Sequence, residues 1–325
     1  MEWFEAGLNA PLIAVRAIHF AATAITTASL IFRAVVLEPA LASGQQLPCS
    51  SQMTNSLRAQ IARLTWIGLG VTVFSGVIWV LVEAASMSGV PLGEAMNSGV
   101  LQTVLQETQF GQVCEIRFVF SLILAACLAW HRFAFANWFA FASGLAIAAG
   151  IAWTGHAGST PGELGDMHVA GDALHLLAAA AWVGGLLPLA LMLAAAAKET
   201  SLAFPSLASN VTRRFSALGL ISVAALAATG IINAWILVGS IQALVSTGYG
   251  RLLVLKLVVF VLMLMFAAYN RYWLTPRLTY SSDNNLMVPT LHQLTRNSVI
   301  EIALGFAIFA IVGMLGTMHP AIHLL

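Results

Sequence analysis

The sequence predicts an all-α polytopic membrane protein of about eight transmembrane helices, built as two parallel four-helix repeats. Three observations predict it: a composition almost free of charge, eight apolar runs of spanning length, and an internal repeat that pairs residues of the two halves.

Of the 325 residues, 59% are hydrophobic and 8% are charged, and the mean hydropathy is +0.88. A soluble domain carries roughly 25% charged residues. So few charges cannot clothe a globule in water, so the solvent of this chain is lipid. The net charge of +1 and the lack of any Lys/Arg run argue against nucleic acid as a partner. Three cysteines are too few for a disulfide framework. Cys49 lies in a polar stretch, while Cys114 and Cys127 read as small hydrophobes in an apolar helix. The N-terminal MEWFEAGLNAPL is acidic and lacks a basic leader, so the first apolar run reads as a retained span.

A spanning helix needs ~20 apolar residues. Runs of that kind fall near 11–37, 64–86, 113–130, 135–154, 169–197, 215–239, 251–274 and 297–317. The expected organisation is 1–135 for the first three spans, 135–160 for the fourth, and 168–325 for the second repeat. No P-loop or comparable glycine run is present, which argues against an ATP-driven pump within this chain. Basic residues orient the bundle. Arg33, Arg58 and Arg63 flank the first connection, Arg132 lies in the third, and Lys198, Arg213 and Arg214 in the fifth. Arg271, Arg277 and Arg296 flank the seventh, whereas the second and fourth carry Glu94, Glu107, Glu163 and Asp166 instead. By the positive-inside rule both termini face the periplasm or exterior of an inner-membrane protein.

The repeat is read from three span pairs. TQFGQVCEIRFVF from Thr108 aligns with TGYGRLLVLKLVVF from Thr247, setting Arg117 on Lys256. RAIHFAA aligns with DALHLLAA, setting Arg16 on Asp172 and His19 on His175. GIAWTGHA aligns with GMLGTMHP, setting His156 on His319. The second and sixth spans match weakly, through Arg63/Arg214 and Gly68/Gly219. Each repeat has an even number of spans, so the halves insert in the same direction and are related by an axis along the membrane normal.

Five histidines, His156, His168, His175, His319 and His323, fall at the outer face, and His19 lies in the outer half of its span. His131 and His292 fall on the inner side. His168, Asp172 and His175 share one helix face at i, i+4 and i+7, where an Asp one turn from a His orients its ring. Met167 and Met318 each precede a histidine. Imidazole with thioether suits copper, Met favouring Cu(I). The alternatives stand beside this. Interfacial histidines such as His168 and His323 reach headgroups as polar tips, and Met fills apolar helices. His19 and His175 inside spans are costly to bury and so read as functional. Arg117 and Lys256 either snorkel or anchor an anionic group. Glu301 reads as the partner of a basic residue such as Arg271 or Arg63, or as a proton-coupling carboxylate. Gly184, Gly185 and Pro188 permit close helix contact or a kink in the fifth span.

From HLLAAAAWVGGLLPLALML at His175, the sequence resembles the copper resistance protein D family. The resemblance continues through RRFSALGLISVAALAATGIINAWILVGS, YGRLLVLKLVVFVLMLMFAAYNRY and VIEIALGFAIFAIVGMLGTMHP. It is strong over 168–320 and looser before. It implies copper transport or homeostasis at the inner membrane, with copper moved toward the cytoplasm and a periplasmic copper resistance protein C as partner. It implies no enzyme and no ligand set. The proposed ligands are therefore His19, His156, His168, His175, His319, Met167 and Met318, with Asp172, Arg117, Lys256 and Glu301 supporting or coupling. The halves more distantly resemble four-helix membrane proteins that bind haem b, including a protoporphyrinogen oxidase family with a His-W-x-G-L first helix and a Lys in the third. His175, Trp182 and Lys256 fit that pattern. A haem-dependent redox protein, with His19/His156 or His175/His319 as axial pairs, is the alternative.

Overall fold

The structure, a computed structural model, describes residues 10–43, 51–97, 99–130, 134–198, 203–280 and 284–323. Cys49, His131, the side chain of His323 and both termini lie outside the described residues or side chains.

Among the described residues, eight helices are long and apolar enough to cross a membrane: Ala10–Ser43, Ser51–Ser88, Gln109–Ala129, Phe135–Thr154, Gly162–Ala196, Ser206–Val238, Gly248–Leu278 and Met287–Leu315. They are spans 1 to 8 below. Their count agrees with the apolar runs, but spans 2, 5, 6 and 8 begin about two to four turns before the apolar stretch. Amphipathic extensions such as SQMTNSLRAQIAR before span 2 continue the helix beyond the hydrocarbon.

Span 1 is the central element, with 78% of its apolar window buried against 6% for span 7. Its middle, AATAITTAS, is built of small residues, and four neighbours meet it with a glycine. A Cβ on Gly68 of span 2 would lie 2.5 Å from Thr26 Oγ1, and one on Gly144 of span 4 would lie 2.5 Å from Leu30 Cδ1. A Cβ on Gly184 of span 5 would lie 2.5 Å from the Ala24 carbonyl, and one on Gly313 of span 8 would lie 2.8 Å from that of Ile13. Lipid tails supply no hydrophobic drive between helices, so such backbone approach and interhelical hydrogen bonds hold the bundle. Thr27 Oγ1 donates to the Gly144 carbonyl at 2.8 Å. Far from the histidines, Arg58 clasps Glu38 with two bonds of 2.9 and 2.6 Å, joining spans 1 and 2.

Three spans contain a π-helical segment: Phe32–Leu37, Ala180–Gly184 and Asn270–Leu274. In span 5 the segment runs into a turn at Gly185, so Gly184 gives the close contact and Gly185 the irregularity. Spans 2 and 6 end alike. Gly89 and Gly239 adopt φ of 70° and 72°, a left-handed cap, and donate back to Ala85 and Trp235. Two short helices follow Gly89 and one follows Gly239, each leading to a threonine cap. Thr108 accepts from the Gly111 amide at 3.0 Å, and Thr247 accepts from that of Gly250 at 3.0 Å.

Candidate metal centre at the histidine end of the bundle

The imidazoles named from the sequence fall into three neighbourhoods. In the first, His19 of span 1 is 2% exposed and sits between spans 2 and 3. Its Nδ1 lies 3.0 Å from Ser75 Oγ, and that hydroxyl donates to the Val71 carbonyl at 2.6 Å. The hydroxyl proton is therefore spent, so His19 Nδ1–H is the donor and Nε2 carries the lone pair. Arg117 Nη2 fills that lone pair at 2.7 Å, while Arg117 Nε donates to the Ile147 carbonyl at 2.9 Å. Trp79 packs 5.2 Å from the imidazole, and the Arg16 guanidinium stacks on Trp79 at the same distance. Glu83 accepts from Trp79 Nε1 at 3.0 Å and lies 4.0 Å from Arg16. Arg117 is buried here, so it does not snorkel.

In the second, His175 of span 5 repeats the first half of that geometry. Its Nδ1 lies 2.9 Å from Thr229 Oγ1, whose own proton goes to the Ala225 carbonyl at 2.6 Å. Nδ1–H is again the donor and Nε2 the lone pair. Here the likeness stops. Among the described residues nothing donates to His175 Nε2. Lys256 faces His175 and Asp172 as a charge without reaching the ring nitrogen. Asp172 Oδ1 accepts from Asn233 Nδ2 at 3.0 Å, and Asn233 Oδ1 is buried with no donor. The neighbourhood thus presents an imidazole lone pair, a carboxylate and an orphan amide oxygen. Such a set suits a cation, and the Thr229 contact fixes the tautomer that a metal requires.

In the third, His168 is 1% exposed, with Nδ1 2.9 Å from Thr160 Oγ1, which donates to the His156 carbonyl at 3.1 Å. By the same reasoning its Nε2 is a lone pair. His156 is its electrostatic neighbour and reaches toward the Leu315 carbonyl of span 8 at 3.4 Å. Tyr249 packs 6.3 Å from His156 and also faces Asp172, so it links the second and third neighbourhoods. His319 is exposed at this end. Met167 is 67% exposed, and Met318 packs beside Gly248 and the cluster around Tyr249. Among the described residues, no three His, Cys, Asp or Glu side chains lie close enough to hold a metal ion together.

Glu301 lies elsewhere, in the half of the bundle away from the histidines. Its expected partner, Arg271, instead donates to Ser216 Oγ and the Ser216 carbonyl at 2.7 and 2.8 Å. Glu301 Oε1 accepts from Asn270 Nδ2 at 2.8 Å, so a neutral amide satisfies it. The sequence reading missed Ser75, Thr229 and Asn233. Polar residues within the apolar runs FSGVIW and ATGIIN were the signal for them.

Comparison with known proteins supplies the family. Residues 209–315 match the family described as copper resistance protein D, and residues 7–166 match the copper resistance protein D-like N-terminal domain. The inner membrane protein YebZ of Escherichia coli (strain K12) is 30% identical over 75% of this chain and 82% of its own length.

The chain belongs to the copper resistance protein D family.

Copper resistance protein D of Pseudomonas syringae pv. tomato is 29% identical over 52% of this chain and 54% of its own length. The copper transport protein CutJ of Bacillus subtilis (strain 168) is 30% identical over 58% of this chain and 35% of its own. No solved structure matches the chain significantly. With eight spans, the chain is a multi-pass membrane member of a family associated with copper resistance and transport rather than catalysis.

Proposed function

We propose that this protein carries copper across the inner membrane from the periplasmic side toward the cytoplasm, and that the ion is taken up at the histidine end. The observation that carries the reading is the state of His175, whose Nδ1–H is fixed by Thr229 while its Nε2 faces no donor. Asp172 and the orphan Asn233 oxygen beside it favour a cation. His168 and His156 stand near the same end with Tyr249 between, and Met167, Met318 and His319 there are capture groups on the approach. The basic connections support the orientation that puts this end and both termini in the periplasm, where a copper resistance protein C type partner hands over the ion. Glu301 is the proposed proton-coupling carboxylate toward the inner side.

The two-repeat architecture is part of the proposal. It is supported by His19–Ser75 matching His175–Thr229, by the Gly89 and Gly239 caps, and by the Thr108 and Thr247 caps. Those contacts put Ser75-Gly76 on Thr229-Gly230, three residues out of the register that Gly68/Gly219 suggested. Trp79 then stands where span 6 has Asn233, and Arg16 where span 5 has Asp172. The first half is cationic and aromatic around a capped histidine, and the second sets a carboxylate facing Lys256 and an amide around an open one. His19 is thereby a structural counterpart in this conformation: a copper ion on its Nε2 would have to displace Arg117.

The test is copper uptake into inverted or right-side-out vesicles. His175→Ala and His168→Ala are expected to abolish or strongly reduce uptake, and His19→Ala to reduce it less at equal protein level. Full uptake in the His175→Ala variant ends the reading. The open Nε2 of His175 equally suits porphyrin iron, which keeps the haem reading alive for this residue. The axial pair His19/His156 does not fit, because Arg117 occupies the coordinating nitrogen of His19. A Soret band that disappears in the His175→Ala variant would favour haem over copper.

A further inference from the structure

We infer that a second site, unrelated to the histidines, binds a bilayer-dissolved ring molecule bearing hydrogen-bonding oxygens, of the quinone or quinol class. The site is a cavity of about 250 Å³ enclosed by spans 5 to 8. Its walls are apolar, formed by residues such as Leu186, Phe215 and Leu264. One part is polar and deeply buried: Trp182 is 3% exposed, Ser298 1% and Glu301 1%. Among the described residues, nothing accepts from Trp182 Nε1, and nothing bonds Ser298 Oγ. A donor and a hydroxyl thus line the cavity beside a carboxyl whose other oxygen is oriented by Asn270. Asn270 is held in turn, since Asn297 Nδ2 donates to its Oδ1 at 2.7 Å. These groups face the cavity with hydrogen-bonding capacity unused, and a ligand with oxygens at matching positions takes it up.

The shape gives the route. Leu220 of span 6 and Tyr272 of span 7 line the cavity and are 54% and 64% exposed, so it opens sideways toward lipid. An aqueous ion has no path through such an opening. A phospholipid keeps its headgroup at the water interface and would present only an acyl chain to Glu301, Ser298 and the indole N–H, satisfying none of them. A flat ring with oxygens satisfies them and enters from the bilayer. Two of the three π-helical segments border this cavity, carrying Trp182 and Asn270–Tyr272. Such segments gather at functional sites. Gly219 faces the indole edge, where a Cβ would meet Trp182 Cδ1 at 3.5 Å, so a glycine keeps that edge open.

The full chain in nanodiscs, titrated with decylubiquinone while tryptophan emission is read, tests the proposal. Saturable quenching is expected, and Trp182→Phe should lose the saturable part. Gly219→Leu, which projects a side chain into the cavity, should abolish it. Ser298→Ala and Glu301→Gln should each raise the half-saturation concentration several-fold. If Gly219→Leu does not fold, those two variants decide, and unchanged half-saturation in both overturns the proposal. Quenching that is only linear in quinone overturns it. So does quenching of Trp182 by a brominated-acyl phospholipid that quinone fails to relieve, which would make the occupant a lipid tail.

Discussion

Thr229→Val keeps the shape of the side chain and removes one hydroxyl. That hydroxyl accepts from His175 Nδ1–H at 2.9 Å and donates its own proton to the Ala225 carbonyl. Without it, the Nδ1–H tautomer loses its anchor and the ring is free to turn or to move its proton to Nε2, the nitrogen that the proposed copper site uses. Loss of such an orienting partner costs 10- to 100-fold in metal affinity, or about 1.4–2.7 kcal/mol. The folding cost is smaller, about 0.6 kcal/mol for an interhelical hydrogen bond in a membrane. Ser75→Ala removes the matching hydroxyl from His19. Because Arg117 already fills His19 Nε2, that variant should leave copper affinity unchanged. Competition against a chromophoric copper chelator, with purified protein in nanodiscs, reads both. Equal weakening by the two substitutions, or none from Thr229→Val, refutes the argument that the two histidines differ in availability.

Other perturbations test other parts of the structure. Arg117→Met should free His19 Nε2 and raise the number of copper ions bound in the same titration; an unchanged stoichiometry means that Arg117 is not what closes that nitrogen. Asn233→Leu removes both the orphan oxygen next to Asp172 and the Nδ2–H that Asp172 Oδ1 accepts, so it should weaken copper binding in the same titration and cost about 1–3 kcal/mol in unfolding. Gly184→Leu forces a side chain onto the Ala24 carbonyl, a rigid backbone atom, and should cost about 1–3 kcal/mol in a denaturant-driven unfolding assay. Glu38→Gln breaks the clasp with Arg58. With both side chains one-third or more exposed, the loss should be about 0.2–1 kcal/mol and should shrink further in high salt.

The number of spans was legible because hydrocarbon imposes one requirement on every crossing segment, about 20 apolar residues with no charge to desolvate. Helix ends beyond the bilayer were not, because SQMTNSLRAQIAR is helical for reasons of propensity rather than apolarity. The position of His19 and His175 inside spans was legible from the apolar runs around them. Their difference was not, since it depends on whether a distant side chain on another span, Arg117 for His19 and Lys256 for His175, reaches across to a ring nitrogen. Glu301 was assigned to Arg271 on charge, yet Arg271 turns to Ser216 while Asn270, at the start of a π-helical segment, takes the carboxylate. Helix periodicity cannot foresee that segment, which rotates everything after it.

The difference between the two histidines also bears on direction. A carrier with two equivalent soft sites at one face would hold an ion between them and gain nothing from the second. Closing His19 Nε2 with an arginine, always charged, leaves His175 as the open one of these two imidazoles and repels a cation from the other side of the bundle. Lysine in the matching place is shorter in reach and faces a carboxylate, so the local charge of the second half is balanced before an ion arrives. In the proposed carrier, a guanidinium that locks the His19 side of the bundle leaves the ion one way in. That geometry is compatible with a vectorial carrier and hard to reconcile with a symmetric two-iron cytochrome, in which both histidines would need the same free nitrogen.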